Sequence, residues 1–288
     1  MKLLEKILPR THNIYLIGDT HEGTMLKHRK GLAKTIERIA NDPIGYFAHT
    51  GDAVEGITVD DKRYCQQTAD PKSNTPVRQY KAVVEELTPI KDKLLVILEG
   101  NHDWKISCKY GSILREILCA QLAGNKDPEE IYGTYSCKLA IKDKKGNLLY
   151  KIFLTHGAKS LSSTADDPVR REANMHLSLK RQLSRKHGDC AISATGHNHK
   201  LLVKPPISEL YLTDDGKNVK QAYTTPDYTA PYIHPDLRWY VSTGCFYRLY
   251  EEGVSGYAER AGYDPNELGY AIIRVVDGQI QNIERVVI

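Results

Sequence analysis

Nowhere in these 288 residues is there an apolar run of the length a bilayer-crossing helix needs, roughly 20 residues. Residues 1–9 carry a Leu-Leu and an Ile-Leu pair, but Glu5 and Lys6 interrupt them. That stretch is too short and too charged for the core of a signal peptide, so a soluble, cytoplasmic protein with no membrane partner is expected. The six cysteines (Cys65, Cys108, Cys119, Cys137, Cys190 and Cys245) never fall in a C-x-x-C spacing. This excludes a zinc ribbon and a thioredoxin-like site and leaves free thiols in a reducing compartment. Charge of one sign is scarce as well: 40 Lys and Arg against 36 Asp and Glu give +4, spread along the chain rather than blocked. Such a balance carries no nucleic-acid signature of its own. No internal repeat or low-complexity tract appears, and the length suits one α/β domain over residues 1–288 with a full core.

What is present in excess is a set of five short polar clusters: Gly18-Asp19-Thr20-His21, Gly51-Asp52, Gly100-Asn101-His102-Asp103, His156-Gly157 and Gly196-His197-Asn198-His199. They hold five of the eleven histidines. Each follows an apolar run: Ile14-Tyr15-Leu16-Ile17, Leu94-Leu95-Val96-Ile97-Leu98 and Ile152-Phe153-Leu154 are the clearest, while 44–48 and 191–194 are weaker. Short, branched, apolar runs beside turn glycines read as buried strands. In an α/β sheet, residues just past the carboxyl ends of strands gather in one crevice. Ligands far apart in sequence are thereby expected to meet.

Between the clusters the pattern predicts helices over 26–40, from Pro76 to about Pro89, over 110–122 and from Asp167-Pro168 to about Lys186. A hairpin is expected around Lys144-Lys145-Gly146-Asn147, and another at Asp277-Gly278. Residues 60–75 read as a long polar loop beside the crevice. Residues 205–265, rich in Pro, Gly, Tyr and Thr, read as irregular cover near its rim. Early βα alternation followed by late hairpins indicates two sheets, each covered by helices.

The clusters together resemble the calcineurin-like metallophosphoesterases. That family's pattern runs D-x-H, G-D-x-x-E, G-N-H-D/E, a lone H, then G-H-x-H. It is met here, in order, by Asp19-Thr20-His21, Gly51-Asp52-Ala53-Val54-Glu55, Gly100-Asn101-His102-Asp103, His156 and Gly196-His197-Asn198-His199. The resemblance implies a four-layer α/β/β/α sandwich with two mixed β-sheets in a single domain. It also implies two divalent metal ions, one held by Asp19, His21 and His199, the other by Asn101, His156 and His197, with Asp52 between them. A hydroxide shared by the ions would attack phosphorus, His102 would protonate the leaving oxygen, Asp103 would orient that imidazole, and Glu55 would brace the Asp52 loop. The residue types agree, since mixed carboxylate, amide and imidazole donors suit Mn, Fe or Zn and suit copper(I) or calcium poorly.

Phosphate esters are anionic, so cations near the clusters are candidate substrate contacts: Arg170 and Arg171 after the His156 cluster, and Lys105 after Asp103. Against each stands an ordinary solvated face. The tyrosines between 211 and 263 offer stacking surfaces for a base, or half-buried packing. Of the remaining histidines, His12, His28, His176, His187 and His234 read as structural or surface residues, and His49 is placed to touch the crevice from behind. No segment resembles the capping domain of the Mre11-like nucleases or the Arg-rich turn of the phosphoprotein phosphatases. The expected activity is hydrolysis of phosphate esters, with a nucleotide or nucleic-acid phosphodiester as the leading substrate. A phosphomonoesterase and a non-catalytic scaffold of the same fold remain alternatives.

Overall fold

Alternation along the strands builds the layers. In β2 (His12–Ile17) every residue is buried, yet Ile14 and Leu16 join one apolar cluster while Tyr15 and Ile17 join another. A strand buried on both faces belongs to a central sheet. The computed structural model, which describes residues 1–288, contains two such sheets. The first has the order β13 (Gln279–Val287), β12 (Gly269–Val276), β2, β3 (Gly45–His49) and β4 (Leu94–Ile97). The second has the order β1 (Lys2–Ile7), β5 (Ser136–Lys142), β6 (Leu148–Thr155), β7 (Ile192–Thr195), β11 (Trp239–Thr243) and β8 (Leu201–Lys204). Both are mixed: β2, β3 and β4 run parallel with β12 antiparallel, while β6, β7 and β11 run parallel with β5 and β8 antiparallel.

Between the sheets Ile14, Leu16, Ala48 and Val96 meet Leu139, Ile152, Leu154, Ile192 and Val241. On the outer face of the first sheet Tyr15, Ile17 and Phe47 pack against Leu32, Ile36 and Ile39 of α1 (Arg29–Asn41) and Tyr80, Val83 and Leu87 of α2 (Pro76–Leu87). Outside the second sheet Phe153, Leu202 and Tyr240 pack against Leu179 and Leu183 of a helix spanning Pro168–Leu183. These clusters make the four-layer α/β/β/α sandwich, and no helix in it is long and apolar enough to cross a membrane.

Local signals explain the helix starts. Thr75 accepts a hydrogen bond from the Arg78 N–H ahead of Pro76, and Asp167 accepts one from the Arg170 N–H ahead of Pro168. Elsewhere tertiary contacts override the pattern. The helix expected from residue 26 begins only at Arg29, because Leu26 is buried in a loop, Lys27 is paired with Glu22 and Glu86, and the His28 N–H is taken by the Phe246 carbonyl. Pro89 does not stop the chain turning; it opens a 3₁₀ helix, Thr88–Lys93. The helix expected over 110–122 is divided: α3 (Asn101–Tyr110) starts inside the third polar cluster and ends at Gly111, whose φ is 84°. A π-helical turn, Leu114–Cys119, then leads into α4 (Ala120–Leu122). The helix Pro168–Leu183 is α5.

The segment 205–265, expected as irregular cover around a strand at Trp239-Tyr240-Val241-Ser242, contains an exposed antiparallel hairpin of β9 (Leu210–Asp214) and β10 (Val219–Tyr223), the fully buried β11, and α6 (Tyr257–Arg260). Only its last part, from Tyr247 onward, reaches the cleft described next.

Candidate functional site

All five polar clusters follow strand ends, three after the parallel neighbours β2, β3 and β4, and two after the parallel neighbours β6 and β7. Their side chains meet at a cleft of about 1330 Å³, whose floor His21, Asp52, Asn101, His102, His197 and His199 line, while Asp19 and His156 are fully buried against them. Three groupings of donor atoms lie within 4.8 Å of one another: Asp19, His21 and His199; His21, Asp52 and His102; and Asp52, His156 and His197. The Nε2 atoms of His21 and His199 are 3.2 Å apart, and His199 Nε2 is 3.4 Å from Asp19 Oδ1. Asn101 Oδ1 lies 3.0 Å from His156 Nε2 and 2.7 Å from His197 Nδ1, while Asp52 Oδ2 lies 3.3 Å from His156 Nε2 and 3.9 Å from His21 Nε2.

The clusters hold each other in place. The Asp52 Oδ1 atom accepts from the His102 N–H at the start of α3, where the helix terminus favours an anion. Asp19 accepts from the His197 N–H, and the His156 Nδ1–H donates to the Thr50 carbonyl. Close packing dictates the glycines: a Cβ on Gly100 would come 1.9 Å from Asp52 Oδ1. Gly51 combines a φ of 100° with a built Cβ only 2.8 Å from His156 Nδ1.

The donor set fits divalent metal cations. Since His156 gives its Nδ1–H to Thr50 and His21 gives its Nδ1–H to Glu55 Oε2 at 2.8 Å, a neutral ring of either turns the Nε2 lone pair to the other lone pairs of the site. Such a convergence of lone pairs is satisfied only by protons or metal ions. Electrostatics point the same way. Burial would raise the Asp52 pKa, but His156 and His102 hold it well below the usual carboxylate range. Burial would likewise lower His156, but Asp52 and Asp19 pull it up to about 9. The floor therefore draws positive charge.

Behind the floor, His102 donates from Nδ1 to the Glu55 carbonyl, leaving Nε2 for the cleft. Burial acts to lower its pKa, and the charges of Asp52 and Glu55 overcome that and raise it. Asp103 is not the residue that orients this ring. Its carboxylate accepts from the Gly100 N–H at 2.8 Å and the Tyr80 hydroxyl at 2.9 Å, closing the first turn of α3. Burial and the neighbouring Asp52 charge push its pKa up to about 7. Neighbours in a helix point about 100° apart, so adjacency in sequence turned Asp103 away from His102. Glu55 thus serves two imidazoles, with its side chain on His21 and its carbonyl on His102. His49 sits behind the Asp52 turn, accepting from the Gly51 N–H and bonded to Thr20 Oγ1 at 3.2 Å; burial lowers its pKa to about 4 and keeps it neutral.

Of the proposed substrate contacts, only Arg171 lines the cleft, with its guanidinium donating to the carbonyls of Ala165 and Asp166. Arg170 is exposed outside it, and Lys105 is spent on the buried carboxylate of Asp61. Arg63, Lys200, Arg260 and Tyr247, which no motif marked, do line it. The Tyr247 ring lies 4.8 Å from that of His21 and 5.5 Å from that of His199. Its only signal in the sequence is its place in the tyrosine-rich stretch.

No curated protein matches the sequence. Solved structures similar to the chain include wild-type Vps29 complexed with zinc from Entamoeba histolytica, at 14% identity over 96% of this chain and 98% of that one with a TM-score of 0.36. Another is a conserved uncharacterized protein, a predicted phosphoesterase, from Streptococcus pneumoniae TIGR4, at 11% identity over 96% and 98% with a TM-score of 0.31. At such scores neither likeness bears on the chemistry. The family model for calcineurin-like phosphoesterases, in contrast, matches residues 12–226, which span all five clusters and the strands that carry them. The chain belongs to the calcineurin-like phosphoesterase family.

Proposed function

We propose that this protein is a phosphodiesterase that works with two divalent ions, manganese, iron or zinc, on a nucleotide or nucleic-acid phosphodiester. Asp19, His21 and His199 would hold one ion, Asn101, His156 and His197 the other, with Asp52 between them. Bound there, such ions would polarise the phosphoryl oxygens and make water acidic enough to supply a nucleophile near neutral pH. The observation that carries the reading is the convergence of unshared lone pairs from five loops at the floor of one cleft.

The protein's own groups would do the rest. His102, with Nδ1–H held by the Glu55 carbonyl, would aim Nε2 at the departing oxygen and, as an imidazolium, donate its proton there. Positioned acids of this kind contribute about 10²–10⁴ in rate. The cleft volume of about 1330 Å³ exceeds what a small phosphate monoester fills, and Tyr247, Tyr257 and Tyr263 with Arg63, Arg171 and Arg260 offer aromatic and cationic contacts beyond the phosphate. Manganese-loaded protein should therefore turn over bis-p-nitrophenyl phosphate faster than p-nitrophenyl phosphate. The reverse preference would make it a phosphomonoesterase, and loaded protein inert toward both would leave the scaffold reading.

A further inference from the structure

The loop over residues 57–66 is organised around one buried carboxylate. Asp61 has a side chain only 3% exposed, its N–H donates to the Thr58 carbonyl, and its own carbonyl accepts from the Tyr64 N–H. Its carboxylate accepts from the Arg63 N–H at 3.0 Å, then from Arg63 Nε at 3.3 Å and Nη2 at 3.0 Å, and it is also paired with Lys105. Two N–H groups on one edge of the guanidinium thus clamp Asp61, while Nη1 makes no hydrogen bond within the protein. The Arg63 side chain is 33% exposed and lines the same cleft as Asp52, Glu55 and His102. Its charge reaches those residues: it opposes protonation of His102 and is itself favoured by Glu55 and Asp52.

An arginine held by one edge is a preorganised anion receptor, because its remaining N–H groups keep a fixed direction and little side-chain entropy is left to lose. We infer that Arg63, fixed in place by Asp61, binds a phosphate oxygen of the substrate and is a specificity-determining contact of this site. The inference rests on the phosphoesterase reading for its substrate, but the anion contact is testable without turnover. It also assigns the Asp61–Lys105 pair a role: Lys105 shares Asp61 Oδ2 with Arg63 Nη2 and steadies the clamp without touching substrate.

Binding of inorganic phosphate to manganese-loaded protein, measured by calorimetry with metal content checked by elemental analysis, tests the assignment. A hydrogen bond between charged groups is worth about 1.5–3 kcal/mol, so Arg63→Gln should weaken phosphate binding roughly 10- to 100-fold with metal content retained. It should raise KM for bis-p-nitrophenyl phosphate in parallel and change kcat far less. Arg63→Lys, which keeps the charge and loses the fork, should fall between wild type and R63Q. Asp61→Asn should move phosphate affinity in the same direction by a smaller factor, and Arg170→Gln should leave it unchanged. Phosphate affinity of R63Q equal to that of wild type would overturn the inference; if R63Q loses its metal, R63K with metal retained decides instead, and wild-type phosphate affinity in R63K would overturn it. Wild type that binds phosphate yet hydrolyses neither nitrophenyl ester would remove the phosphodiesterase reading, and the Arg63 effect on phosphate affinity would still decide the inference.

Discussion

Asp19, His21, Asp52, His197 and His199 all have φ between 47° and 71°, and only two other non-glycine residues, Thr134 and Asp277, have positive φ. Left-handed backbone at such residues costs of order 1–3 kcal/mol each and persists only where the surroundings enforce it. Here the enforcement comes from the neighbouring clusters, through the bonds of Asp52 to His102 N–H and of Asp19 to His197 N–H. The strain turns each side chain back over its strand end toward the common floor. At this scale Glu55 governs how strongly His21 presents its lone pair. Partners of that kind are typically worth 10–100-fold in metal affinity. Glu55→Gln should therefore weaken manganese binding by about that factor in a calorimetric titration, and an unchanged affinity would show that the His21–Glu55 bond does not tune the donor.

Among the elements, the second sheet is tied by a charge cluster at its edge. Asp189, just before β7, accepts from Lys138 of β5 at 2.6 Å and Lys151 of β6 at 2.8 Å. Burial would raise its pKa, but the two ammonium groups hold it down to about 2 against an ordinary value of 3.8. A depressed carboxylate stabilises the fold fully above its unfolded pKa, and that contribution fades as pH falls from near 3.8 toward 2. Asp189→Asn should lower the urea midpoint at pH 7, and the gap to wild type should narrow steadily below pH 4. A gap independent of pH would mean that the lost interaction is not ionic.

For the whole molecule, five loops from two sheets converge on one floor where buried carboxylates and imidazole lone pairs crowd together. Ions that bind only the folded state add stability, about 2.7 kcal/mol when present at 100 times their dissociation constant. Dialysis against a chelator should lower the melting temperature by several degrees, and manganese should restore it. A melting temperature indifferent to both treatments would count against resident ions at this site.

The strand ends and the polar residues they bring together were legible in the sequence, because each cluster follows an apolar run such as Ile14-Tyr15-Leu16-Ile17 and parallel strands deliver their ends to one edge. The hairpin turn at Lys144-Lys145-Gly146-Asn147 and the start of α5 at Pro168 were legible as well, since their signals are local. Long-range contacts decided the rest. The Leu26 to His28 segment stays out of α1 because Glu22, Glu86 and Phe246 claim it. Asp103 faces Gly100 and Tyr80 because it lies in the first turn of a helix, and the residue that holds His102 is Glu55, 47 positions earlier. Arg63 and Tyr247 carry no motif, and only the folding of their loops over the cleft brings them to it. Residue type and local pattern determined which atoms are available as ligands and where the strands end. The direction of each donor depends on hydrogen bonds between residues far apart in the chain, such as His21 to Glu55 and His102 to Glu55, and the cations that line the cleft, though held by near neighbours such as Asp61, reach it only through the packing of their loops, so both were decided by the tertiary structure.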